Sequence, residues 1–284
     1  MKPANQAIGV VDSGVGGLSV LRHVREQYPN ETLLYLADQA HVAYGARTVE
    51  EIRHYSEEIT RFLLHLGAKI IVVACNTASA AALNHLRETF PTVPIVGLEP
   101  AVKPAALMTR SGKVGVLATP ATFASPRYSS LMTRFAEDVS VLEDPCVGLV
   151  DLIEEGQLDT PATADLLGAV LRPMLHAGVD TLVLGCTHYP LVMPLIATIS
   201  TAESDGAVVS IIDPAPAVAR QVGRVLAQSG LHDSPEKVGL VHLFTTADVG
   251  TLGRLADYSL GEQFSVTEVH WRNSTLDTAG LDSL

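Results

Sequence analysis

Lys69–Ala80 reads KIIVVACNTASA. An apolar run, Ile70–Ala74, leads into a cysteine, an amide and a hydroxyl residue, Cys75, Asn76 and Thr77, and then into small residues suited to a helix. A short run rich in β-branched side chains, with no polar alternation, is a strand buried on both faces, as in a parallel sheet covered by helices. Asp180–Leu191, DTLVLGCTHYPL, repeats the order: buried strand, small residue, cysteine, hydroxyl residue, expected helix start. The two cysteines stand 111 positions apart (186 − 75). GVVDSGVGG at Gly9–Gly17 and GVLATPATF at Gly115–Phe123 match in the same way, 106 apart (115 − 9). Both offsets are close to one α/β domain.

Working outward, strands are predicted at Ala7–Val11, Leu33–Ala37, Lys69–Ala74, Pro94–Gly97, Lys113–Ala118, Thr181–Gly185 and Val208–Ile212. Between them lie helical patterns. In Thr48–Leu66, the residues Ile52, Tyr55, Ile59, Phe62, Leu63 and Leu66 share one face, Thr48 and Glu51 form a capping box, and Gly67 is the stop. Thr160-Pro161 opens a second helix that runs to about His176, with a kink expected at Pro173. Strands alternating with helices give an α/β fold. The expected architecture is two pseudo-symmetric domains with mainly parallel sheets and an interdomain active site. The boundaries are 1–97 plus 213–271 for the first domain and 98–212 for the second, with a hinge near Gly97–Pro104. A loose tail is expected over 272–284.

Composition bounds the function. The 284 residues are 47% hydrophobic and 18% charged, an ordinary globular balance. A net charge of −12 disfavours non-specific binding to nucleic acid or anionic membrane, while leaving room for a locally positive site. No apolar run approaches the roughly 18 residues of a membrane span. The start, MKPANQAIGVVDSG, lacks the apolar region of a signal peptide, so a cytoplasmic location is expected. Three cysteines with no CxxC spacing predict free thiols, with neither a disulfide framework nor a metal site.

Ligands of open α/β sheets bind beyond the carboxyl ends of the strands. Asp12-Ser13, Asp38 to Gly45, Cys75-Asn76-Thr77 and Cys186-Thr187-His188 stand at such ends. A thiol ionises near pH ~8.5, close enough to neutrality to move protons in either direction. Two thiols flanking one carbon could take a proton from one face and return one to the other, which inverts the centre. The neighbouring Asn and Thr residues could hold the carboxylate and ammonium of an amino acid, while Asp12 and His188 could orient or deprotonate a thiol. A cysteine in an apolar strand is equally well a small buried core residue, and only the matched context of Cys75 and Cys186 separates them from Cys146, which is read as structural. The Gly-rich turn at Asp12–Gly17, with Asp38 as a ribose acid, offers dinucleotide binding as an alternative. Ser19 in the place of the third glycine, and the charge of Asp12, speak against it. Pyridoxal phosphate would need a lysine for its Schiff base. Among Lys2, Lys69, Lys103, Lys113 and Lys237 none stands in a site segment, so no cofactor is expected.

Together, DSGVGG at 12–17, DQAHVAYG at 38–45, ACNTASA at 74–80 and LGCTHYPL at 184–191 resemble the glutamate racemases of the aspartate/glutamate racemase family. The likeness runs from about Ile8 to about Ser259. It implies interconversion of L- and D-glutamate without metal or cofactor, supply of D-glutamate for peptidoglycan, two α/β domains, and a homodimer. By matching position, Cys75 would act on D-glutamate with Asp12 in support, and Cys186 on L-glutamate with His188. Asp12, Ser13, Tyr44, Gly45, Asn76, Thr77, Thr187 and His188 would hold the substrate. Glu154 takes the place of a family glutamate, with a solvated helix charge as its other reading. Ala43 and Val147 stand where the family usually has Pro. Two other chemistries compete. One is racemisation of another acidic amino acid such as aspartate. The other is acyl transfer by a Cys186–His188 hydrolase, which has no use for a second matched cysteine.

Overall fold

The computed structural model describes residues 6–204, 208–234, 236 and 238–278. Lys2, Lys237 and the tail from 279 onward lie outside them. Two compact units emerge, Met1–Leu98 with Ala215–Leu284, and Glu99–Pro214.

The first unit is built on strands β1 (Ala7–Asp12), β2 (Thr32–Ala37), β3 (Ala68–Val73) and β4 (Ile95–Gly97). The second holds β5 (Lys113–Leu117), β6 (Ser140–Asp144), β7 (Thr181–Leu184) and β8 (Ser210–Ile212). The chain then returns to the first unit with β9 (Val241–Thr245), β10 (Val266–Glu268) and the short hairpin β11 (Trp271–Arg272) and β12 (Thr275–Leu276). The first sheet has the order β10-β9-β2-β1-β3-β4 and the second β6-β5-β7-β8. Every pairing in both is parallel. All seven predicted strands are present. The strands β6, β9, β10 and the hairpin are additions to the sequence reading.

Register places the site segments. Asp12 pairs with Ala37 and Val11 with Val73, so β1, β2 and β3 finish together. The ladder runs one step further, with Asp38 N–H donating to Asp12 O (3.0 Å) and Ala74 N–H to Val11 O (2.8 Å). Asp12, Asp38 and Cys75 therefore leave the sheet at one end. In the second unit Leu117 pairs with both Leu184 and Asp144, which brings the chain after β5, β6 and β7 to one end likewise.

Helix α1 (Val49–His65) shows how the layers are held. Thr48 caps it through both bonds of the capping box. It buries Ile52, Ile59, Phe62 and Leu63 against the sheet residues Val11, Ile71 and Val73. Each such side chain is worth about 1.5–3 kcal/mol when buried. Gly67 follows at φ 91°, a left-handed stop. The helix Pro161–His176 begins after its cap Thr160 as expected, and it runs on through Pro173 to His176.

The expectation of a loose tail from 272 does not hold for residues 272–276. Their hairpin sets Leu276 into the core beside Phe62 and Phe244, and an apolar anchor of this kind orders a chain end.

Candidate active site

Cys75 is the N-cap of helix α2 (Asn76–Thr89). Its Sγ accepts from Ala78 N–H at 3.4 Å and lies 3.5 Å from Ser13 Oγ. An acceptor at this position takes up one of the amide donors left open at a helix start, and the positive end of the helix favours a thiolate there. The thiol is 5% exposed. Next to it Asn76 is buried, and neither its amide oxygen nor its amide nitrogen has a hydrogen-bond partner within the protein. A buried amide left open on both atoms costs free energy unless a ligand completes it.

Asp12 is fully buried and folds back to accept from Gly14 N–H at 2.9 Å. Gly17 makes this turn possible, because a Cβ there would come within 2.6 Å of Asp12 Cβ and 2.9 Å of Tyr35. The Gly-rich segment is thus wrapped around a carboxylate. Tyr44 is buried and donates to Asp38 Oδ2 at 2.7 Å. Its phenol is held neutral by burial first, then by Asp38, and then by the charges of Cys75 and Asp12. Tyr44 thus stands within electrostatic reach of both. Gly45 follows in the tight turn Tyr44–Ala46.

The Cys186 segment is arranged differently. Gly185 is required before it, since a Cβ would stand 2.8 Å from the backbone oxygen of Leu117. Cys186 Sγ lies 3.6 Å from His188 Nδ1, and His188 Nε2 lies 2.6 Å from Glu154 Oε1. Cys186, Thr187 and His188 are all buried. Burial alone would lower the imidazole pKa. The hydrogen bonds and charges of Cys186 and Glu154 outweigh it and hold the pKa well above the ordinary value. Glu154 ends the helix Leu149–Glu154 with its side chain 10% exposed against His188, so it is no solvated helix charge.

No α-helix starts directly after Cys186, contrary to the sequence reading. A 3-10 turn, Tyr189–Val192, comes first, and the helix begins at Met193. An α-helical bond to Cys186 O would have to come from residue 190, which is proline and has no N–H. Tyr189 N–H takes that oxygen instead, at 3.2 Å.

The chain as a whole is similar to known proteins. The sequence profile of the Asp/Glu/Hydantoin racemase family matches residues 8–222. A glutamate racemase of Pseudomonas aeruginosa is 54% identical over 231 residues, 81% of this chain and 85% of its own length. That of Ectopseudomonas mendocina is 48% identical over 266 residues, 94% and 99%. Among solved structures, a glutamate racemase isoform of Bacillus anthracis superposes with a TM-score of 0.82 at 32% identity, covering 97% of this chain and all of that one (100%). The Francisella tularensis glutamate racemase, solved with D-glutamate, has a TM-score of 0.78 at 28% identity, covering 93% and 97%.

The chain belongs to the Asp/Glu/hydantoin racemase family.

Racemases are isomerases, and this fixes the enzyme class of the chain. Within this racemase fold Cys146 is buried at φ 44°, with its amide on Asp144 Oδ1 (2.7 Å). Burial, then the charge of Asp144, raises its thiol pKa far above the ordinary range, and a thiol so held stays protonated. The described lysines have other duties. Lys69 Nζ is 2.6 Å from Glu31 Oε2 in a buried ion pair, Lys113 donates to Ala177 O, and Lys103 lies over the Phe135 ring. Asp38, weighed above as a ribose acid, is occupied by protein donors: Tyr44, His41, Thr246 and Trp271. Among the described residues no group of three or more His, Cys, Asp or Glu could hold a metal ion, and no helix is long and apolar enough to cross a membrane.

Sequence reasoning missed Thr246 and Trp271 at this carboxylate. Trp271 is the only tryptophan of the chain and stands 233 positions from its acceptor, and no local pattern announces such a contact.

Proposed function

We propose that this protein interconverts L- and D-glutamate by proton transfer through Cys75 and Cys186, one on each face of the α-carbon. The observation that carries this reading is the matched pair of buried thiols, each at the carboxyl end of a parallel strand and each with its own polar support. In one direction the Cys75 thiolate takes the α-proton of D-glutamate, forming S–H and leaving the electron pair on Cα, delocalised into the carboxylate. Cys186 S–H then gives its proton to the opposite face and becomes the thiolate. The reverse reaction exchanges the roles. Asp12 supports Cys75, and the Glu154–His188 pair supports Cys186. The open amide of Asn76 and the amides at the start of α2 offer donors to the carboxylate, where charge grows in the transition state. Ser13, Thr77, Thr187, Tyr44 and Gly45 complete the binding set.

The wider setting follows from the family likeness: a cytoplasmic homodimer, acting without cofactor, that supplies D-glutamate to peptidoglycan. The relatives named above are glutamate racemases, which favours glutamate over aspartate.

Racemisation in D2O tests the mechanism. Each enantiomer should gain solvent deuterium at Cα as it inverts, and Cys75→Ser or Cys186→Ser should abolish inversion. Near-normal turnover in either variant would overturn the two-base reading. A kcat/KM for aspartate equal to that for glutamate would overturn the substrate.

A further inference from the structure

Asp38 is fully buried, and its carboxylate accepts from four side chains. Oδ2 takes Tyr44 O–H (2.7 Å) and His41 Nδ1 (2.9 Å), and Oδ1 takes Thr246 Oγ1–H (2.9 Å) and Trp271 Nε1–H (2.8 Å). A buried carboxylate is tolerated only when donors of this kind replace its water. The donors divide by origin. Tyr44 and His41 share the loop that carries the proposed substrate contacts. Thr246 and Trp271 come from the returning C-terminal segment, beyond the residues matched by the family profile. Trp271 packs against this loop and against the helix that follows it. Its ring meets His41 and Tyr55 edge-on, and it lines a cavity of about 480 Å³ together with them and His54.

We infer that Trp271 is a positioning residue for the reaction. Its indole N–H, with the Thr246 hydroxyl, orients the Asp38 carboxylate so that Oδ2 fixes Tyr44 and presents the Tyr44–Gly45 turn to the substrate. If a donor to Oδ1 is lost, the carboxylate is no longer fixed against rotation about its Cβ–Cγ bond, and Oδ2 no longer holds Tyr44 in one position. The inference rests on the reading that Tyr44 binds glutamate.

Trp271→Phe keeps an aromatic ring against His41 and Tyr55 and removes the N–H. A hydrogen bond to a charged group has the strength to raise KM roughly tenfold. That rise is expected for both enantiomers, with kcat within about twofold of wild type; Thr246→Val should act in the same direction. The double variant Trp271→Phe with Tyr44→Phe should be no worse than Tyr44→Phe alone, because both act through one contact. Trp271 being the only tryptophan, its emission reads the same contact without any change to it. Saturating L- or D-glutamate should alter the emission of the wild type and not of Tyr44→Phe. An unchanged KM in Trp271→Phe, additive effects in the double variant, or an emission response that survives Tyr44→Phe would each overturn the inference. Inversion retained in Cys75→Ser or Cys186→Ser overturns the two-base reading instead. Inversion lost there, with KM unchanged in Trp271→Phe, removes the role of Trp271 alone.

Discussion

The segments around Cys75 and Cys186 share one sequence order and end as two different electrostatic settings. Cys75 caps a helix of 14 residues and has a hydroxyl beside it. Cys186 has no α-helix directly behind it and has an imidazole, itself held by a carboxylate. The difference begins at a single residue type. Ala78, three positions after Cys75, supplies an N–H to the thiol within a regular helix, whereas Pro190, four after Cys186, prevents the helix from starting there. A thiolate can be favoured by a helix terminus or by a nearby cation. Cys75 stands at a helix terminus, and Cys186 stands beside the imidazole of His188.

The comparison can be broken first at His188. His188→Asn should lower kcat/KM by about 10²–10⁴, the usual worth of a positioned acid or base. The two enantiomers are equal in free energy, so the loss in kcat/KM must be the same in both directions, and only kcat and KM can divide it differently. Steady-state assays from each enantiomer check both statements. Glu154→Gln keeps the shape and removes the charge behind the imidazole, and a loss on the order of tenfold to a hundredfold is expected. If Glu154→Gln matched wild type, the imidazole would need no carboxylate and the contrast between the two thiols would narrow. Ser13→Ala, on the helix-capping side, removes only a neutral contact, and roughly threefold to tenfold is expected.

The same contrast has a pH signature. His188 has a folded-state pKa raised above its unfolded value of about 6.5. The stability it contributes is complete below that value and is lost as pH rises through the folded pKa. The urea midpoint of the wild type should therefore fall as pH rises above about 7, and more steeply than that of His188→Asn. Parallel midpoint curves would remove this linkage. Asp180 is a control with the opposite sign. Burial opposes ionisation, but the bonds from Thr109, Ser111, Arg110 and Thr181 lower its pKa to about 2. Its contribution is complete above about pH 4 and drains as pH falls towards 2. Asp180→Asn should cost the most stability near neutrality, with the difference from wild type shrinking in acid.

Much of this was legible in the sequence where local rules suffice. Ile70–Ala74 and Thr181–Leu184 read as buried strands because no polar residue interrupts them. Thr48 and Glu51 announced their helix by spacing alone. The strand β6, Ser140–Asp144, escaped because it is an edge strand with exposed positions and carries Glu143 and Asp144. The 3-10 turn after Cys186 was readable in principle from Pro190, but the likeness to the Cys75 segment hid it. The Asp38 cluster could not be read, since two of its donors, His41 and Tyr44, lie in an irregular loop and the other two, Thr246 and Trp271, are 208 and 233 positions away. Glu154 was placed by resemblance, and only the fold brings it to His188, 34 positions away.

The first sheet carries β9 directly against β2, with Leu33 paired to Val241 and Ala37 to Thr245. Its neighbour in space is therefore more than 200 residues away along the chain. A nascent chain cannot close this edge until translation has passed β9, whereas β5–β8 are complete by Ile212. Contacts of such long sequence separation form slowly. Until then β2 offers an open backbone edge to any strand that reaches it, and a synthesis halted near Pro214 would release a chain exposed to aggregation at that edge.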